Sequence, residues 1–174
     1  MTYVGEKRTE NLHLFVINSN GSNEKQLTFS EQFPHGIGVG SMDWSPDGGK
    51  IALPGIYIIN SDGSNVRFLT SGYGGGQPVW SADGKKIFFV GPQVVDHNYS
   101  IWSIDLDGDN LKQLTTVYGL VWSPDRSKIA YQHYGIFVVN SDGSNRKRLT
   151  LSSDSLFSGS WSPNGKRIAF FRVR

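Results

Sequence analysis

Three short motifs recur in fixed order along this chain, four times each. An Asn-rich turn reads NSNGSN at 18–23, NSDGSN at 60–65, DLDGDN at 105–110 and NSDGSN at 140–145. A Leu-Thr pair closes the segment after each turn, at Thr28, Thr70, Thr115 and Thr150. A tryptophan then opens a second turn: WSPDGGK from Trp44, WSADGKK from Trp80, WSPDRSK from Trp122 and WSPNGKR from Trp161, spaced 36, 42 and 39 residues apart. A period near 40 residues means stacked supersecondary units, each of which buries its apolar face only against a neighbour.

Each unit carries strand signals alone. IYII (56–59), IWSI (101–104) and IFVV (136–139) are short β-branched and aromatic runs, as are KIAL (50–53), KIFFV (86–90), KIAYQ (128–132) and RIAFF (167–171). Their lengths suit strands, and no window holds a helical period with caps. A strand ending at the Trp (A), a KIAL-type strand (B), an IYII-type strand (C) and a strand ending in Leu-Thr (D) describe one antiparallel propeller blade. The expected fold is therefore all-β: one β-propeller domain of four-stranded antiparallel blades, with about four repeats. The units fall around 2–28, 39–70, 77–115 and 119–150, and strands within 158–172 are placed to close the ring.

The turns have a chemical reason. In Ser61-Asp62-Gly63-Ser64 the carboxylate can accept a bond from the backbone just ahead, and Gly supplies positive φ. Ser-Pro-Asp-Gly at 45–48 works alike, with Pro presetting φ. Arg126 stands where the other copies of that turn have Gly, so either it is strained or the turn differs.

Those residues resemble the TolB-type propeller repeat, and also the propeller domains of prolyl-oligopeptidase-type peptidases. The resemblance rests on Ile56-Tyr57, Asn60 through Asn65, Leu69-Thr70, Trp80-Ser81 and Asp83-Gly84-Lys85-Lys86-Ile87, and it covers 12–173. It implies a propeller that binds a protein or peptide, in a periplasmic or extracellular setting. The 174 residues start without a signal peptide, and neither an α/β domain nor a hydrolase domain is legible. The family typically has six or more blades. With four repeats, the final A strand either completes the first blade of the same chain, or 1–174 is an open segment: a fragment of a larger propeller, or one of two chains that pool their blades in a larger ring. TYVG at 2–5 reads as a further B strand and competes for the same slot.

Composition narrows the function classes. The chain has no cysteine, which excludes disulfides and thiol chemistry. A net charge of +2 is too small to imply nucleic-acid binding. No apolar run reaches the roughly 20 residues of a membrane helix, so no membrane insertion is expected. Arg146-Lys147-Arg148 reads as a charged guard on an edge strand.

Strand alternation sends the repetitive A–B and C–D turns to one end of the propeller. The B–C and D–A loops, where the copies differ, go to the other end, and recognition residues ride on such loops. Phe33, His35, Tyr73, Asp96, His97, Tyr99, Tyr118, His133, Tyr134 and Phe157 gather there, as a protein or peptide contact surface or as caps on the blade cores. Trp44, Trp80, Trp122 and Trp161 are expected to pack between blades. The histidines lack metal-ligand spacing, and 105–109 departs from an EF-hand loop, so no metal or cofactor is expected. Without a G-x-S-x-G elbow or a Cys nucleophile, no enzyme is expected either. The alternatives are a gating or regulatory propeller from a longer peptidase-like chain, and a minimal self-assembling propeller.

Overall fold

A computed structural model describes residues 12–29, 32–33, 40–70, 75–92, 99–117, 120–150 and 155–172. Among them are sixteen strands and no α-helix. The first two, β1 (Phe15–Val16) and β2 (Lys25–Gln26), form a two-stranded sheet. Three complete four-stranded sheets follow. Blade I is β3 (Asp43–Trp44), β4 (Lys50–Leu53), β5 (Tyr57–Asn60) and β6 (Arg67–Phe68). Blade II is β7 (Gly76–Trp80), β8 (Lys86–Pro92), β9 (Tyr99–Asp105) and β10 (Lys112–Val117). Blade III is β11 (Leu120–Trp122), β12 (Lys128–Gln132), β13 (Ile136–Asn140) and β14 (Lys147–Arg148). The last pair, β15 (Ser155–Trp161) and β16 (Ile168–Arg172), is again two-stranded.

In each complete sheet consecutive strands are neighbours and antiparallel, which is the blade the repeat predicts. The B–C register is the same each time: Lys50 faces Asn60, Lys86 faces Asp105 and Lys128 faces Asn140. By the same alignment, β1–β2 are strands C and D of a blade, and β15–β16 are strands A and B. The B-like segment at 2–5 lies outside the described residues.

Both turn motifs are held by side chains. Ser45 Oγ donates to Asp47 Oδ1 at 2.6 Å and accepts from Lys50 N at 2.9 Å, while Gly49 N donates to Asp47 Oδ1 at 3.0 Å. Ser81/Asp83, Ser123/Asp125 and Ser162/Asn164 repeat the arrangement. In the Asn-rich turn, Ser64 donates from both N and Oγ to Asp62 Oδ1, and Asn60 Nδ2 donates to Ser64 Oγ. The closing asparagines Asn23, Asn65, Asn110 and Asn145 sit at φ of 56°, 52°, 54° and 53°. The left-handed region tolerates Asn better than most residues, which explains a position that Asp-Gly chemistry alone does not.

Arg126 keeps the left-handed conformation of its glycine counterparts, with φ 58°, and its N donates to Ser123 O at 2.8 Å as in the other copies. The turn is unchanged, so the strain is real. It is offset by a two-pronged bond: Arg126 Nη1 and Nη2 donate to Asp43 Oδ2 and Oδ1 at 2.7 and 2.8 Å. This ties blade III to blade I, and Asp43 Oδ2 also accepts from Trp80 N of blade II at 2.8 Å.

Three cores lie between sheets. Leu14 and Leu27 meet Ile51, Leu53, Tyr57 and Ile59. Ile58 and Leu69 of blade I meet Trp80, Trp102 and Ile104 of blade II. Ile101 of blade II meets Ile129, Tyr131 and Val139 of blade III. The expectation that all four repeat tryptophans pack between blades needs one correction. Trp80 is 1% exposed and Trp122 and Trp161 are half-buried, but Trp44 is 45% exposed. Trp80 Nε1 donates to Asp43 O, and Trp161 Nε1 to Val121 O. Each of these indoles therefore rests on strand A of the preceding sheet, and the sheet before Trp44 has only strands C and D among the described residues.

Candidate functional site

The loop end is most completely described around blade III, where β12 turns into β13. His133 N donates to Gly135 O at 2.9 Å, and the turn is tight because Tyr134 and Gly135 both take positive φ, 49° and 133°. That backbone pushes the Tyr134 ring outward, leaving it 66% exposed. Its carbonyl accepts from Arg148 Nη2 at 2.8 Å, and Arg148 Nε donates to Thr150 O at 2.7 Å. The tyrosine is thus displayed on a fixed support.

Aromatic rings build that support. Tyr131 stacks on Phe137 with centroids 5.6 Å apart, and His133 meets the edge of Tyr134 at 5.2 Å. The Arg146 guanidinium lies 4.6 Å over the Phe137 ring, and that of Arg148 lies 5.8 Å from it. Arg146 precedes β14 and Arg148 ends it, and both guanidinium groups reach the same ring. The edge position of β14 agrees with the charged-guard reading, yet two of those three cations also cover this aromatic cluster. Sequence reasoning missed that second use. His133 Nδ1 is buried and has no hydrogen-bond partner.

The other expected site residues divide. Phe33 is a correction: it is buried and packs edge-on against Tyr57 at 5.0 Å, so it caps a core instead of offering a contact surface. Tyr99 begins β9 and Phe157 lies in β15. His35, Tyr73, Asp96, His97 and Tyr118 lie outside the described residues. Among the described residues, no three His, Asp or Glu side chains converge to hold a metal ion.

The blade topology, the repeat register and the inter-blade tryptophans define a β-propeller. No family model and no curated protein matches the sequence. Solved structures do match. TolB from Acinetobacter baumannii is 24% identical with a TM-score of 0.63, over 91% of this chain and 42% of that one. A chain of the nidogen–laminin complex is 16% identical with a TM-score of 0.58, over 80% and 57%. Acylaminoacyl peptidase from Pyrococcus horikoshii is 14% identical with a TM-score of 0.56, over 79% and 27%. The chain therefore resembles the TolB and peptidase propellers in fold, and spans well under two thirds of each of these proteins.

Proposed function

We propose that this propeller is a non-catalytic scaffold that binds a protein or peptide through its B–C and D–A loop end. The observation that carries the reading is Tyr134: a large aromatic held in solvent by a rigid turn. Tyrosines of this kind supply wide contact area at small entropic cost, and they are enriched where proteins meet. The nearby guanidinium group of Arg146 favours a segment with carboxylates or aromatic rings. The likeness to a chain solved in a nidogen–laminin complex supports the same reading by analogy of fold.

The test is selection of peptides from a displayed library on the intact chain. Selected peptides should lose at least tenfold in affinity on Tyr134→Ala, with the melting temperature unchanged. Tyr73→Ala, His97→Ala and Tyr99→Ala extend the test to the remaining loops. If the peptides bind all four variants as they bind the parent, the loop end is not the binding surface.

A further inference from the structure

The two-stranded sheets at either end of the fold are complementary halves of one blade. We infer that they complete each other between two copies of this chain, head to tail, so that β16 of one copy pairs with β1 of the other and two chains form one eight-bladed ring.

The register follows from the complete blades. Where Lys50 faces Asn60 and Leu53 faces Tyr57, the repeat alignment puts Arg167 opposite Asn18, Ala169 opposite Val16 and Phe170 opposite Phe15. The polar pair at the start of this seam is already set. In blade I, Asn60 Nδ2 donates to Ser64 Oγ, which leaves Oδ1 to accept from Lys50 Nζ at 2.6 Å. Asn18 Nδ2 makes the same bond to Ser22 Oγ at 3.0 Å, leaving Oδ1 for a basic side chain such as Arg167.

Exposure singles out the same strands. Phe15 and Ile17 are 49% and 55% exposed, while their counterparts Tyr57 and Ile59 are buried. Phe170 and Phe171 are exposed, although Leu53, Phe89 and Tyr131 at the Phe170 position are buried. Beside β16 lies a groove of about 810 Å³, lined by Val138, Leu149, Trp161, Ile168 and Phe170 among others. Leu149 is 46% exposed there, whereas Leu27 and Leu69 at the same repeat position are buried against strand C of the next sheet. A β1–β2 pair in this groove would lay Phe15 and Ile17 on Leu149 and Val138, as Trp102 and Ile104 lie on Leu69 and Ile58. The same docking would put strand A of the other copy in front of Trp44.

A second copy is the occupant because the two half-blades of one chain do not pair with each other: β1 and β16 remain in separate sheets. Two copies contribute eight blades, within the range that propellers adopt, and a head-to-tail contact that closes gives a ring without free edges.

Light scattering on the intact chain should give twice the 19.3 kDa mass of one copy. One copy's mass, or a mass above two copies, overturns the inference. Phe170→Lys should halve the mass without changing the far-ultraviolet strand signal, and an unchanged mass would remove β16 from the seam. The chain has no cysteine, so a cross-link can be placed cleanly. The Val16–Ala169 pair aligns with Ala52–Ile58, a non-hydrogen-bonded pair where β-carbons approach closely. After mild oxidation, a mixture of Val16→Cys and Ala169→Cys chains should give a two-chain product that neither yields alone. A mixture that yields none, with the double variant cross-linking within one chain, would show the ring closing on itself. Tyr134→Ala should leave every one of these results unchanged, which separates this inference from the peptide-binding reading.

Discussion

Blades I to III and the two terminal half-blades are written in the same repeat, yet they behave as different materials. Ile51, Ile87 and Ile129 are buried in strand B, and Ile168 at the same position is only half-buried. Ala52 and Ala130 are buried, and Ala169 is exposed. The chemistry of the side chains is equal, so the difference comes from what lies beside them. An apolar residue in a propeller is buried by the strand next to it and by the sheet stacked on it, and among the described residues a half-blade lacks one of each.

The tryptophans give the strongest way to break that comparison. Trp80→Ala should destabilise the fold by about 3–5 kcal/mol at any protein concentration. Trp44→Ala should cost much less in dilute protein, and its cost should grow with concentration if a second copy covers the indole. Urea unfolding at two concentrations checks both. A Trp44→Ala cost equal to that of Trp80→Ala in dilute protein would mean that the exposed face is covered within a single chain.

Next comes the tie that makes the complete blades one body. Asp43→Ala removes the acceptor of Arg126 and of Trp80 N and should cost about 2 kcal/mol, the scale of a hydrogen bond to a charged group. Arg126→Gly should cost less, because it also relieves the left-handed strain of about 1 kcal/mol. If Arg126→Gly is the more damaging of the two in a thermal melt, the strain has been misjudged.

Acid gives the smallest effect and the sharpest contrast. Asp47, Asp62, Asp83, Asp105, Asp125 and Asp142 all have carboxyls held below the usual range. For Asp47, Asp83 and Asp125 the foremost cause is the bond from the preceding serine, and for Asp62 and Asp142 the bond from the following one. For Asp105 it is the bond from Lys86. Asp125 is lowered to about 2, by Ser123 first and then Ser127. A carboxylate with a depressed folded pKa stabilises the fold above its unfolded value of about 3.8 and loses that contribution as pH falls through the folded value. Stability should therefore decline from about pH 4 downward, with the Asp125 share lost last, near pH 2. The half-blade turns carry Asn20 and Asn164 where complete blades carry Asp, and these accept the same backbone bonds without titrating. Hydrogen exchange across this range should show protection fading in the turns of blades I to III while those at Asn20 and Asn164 hold. Equal fading in all of them would place the acid sensitivity elsewhere.

Much of the fold was legible before any coordinates. The Trp-Ser-Pro-Asp and Asn-Ser-Asp-Gly turns act through bonds two to five residues long, so their meaning is local and the strand order follows. The loop end was less legible. Phe33 reads like any loop aromatic, and only its packing against Tyr57 shows that it belongs to a core. Arg146 and Arg148 read as edge guards, and only the fold places them over Phe137, on the strand before them. The Arg126–Asp43 bond joins residues 83 apart, a distance at which sequence offers no pairing rule.

By itself, then, the sequence determined the blade: which residues turn, which runs are strands, and in what order they pair. These follow from short-range hydrogen bonds and from the alternation of side chains along a strand. Tertiary structure decided which apolar positions are satisfied. Burial depends on the neighbour a strand finds in space, and identical Ile and Trp positions differ only in whether that neighbour is there.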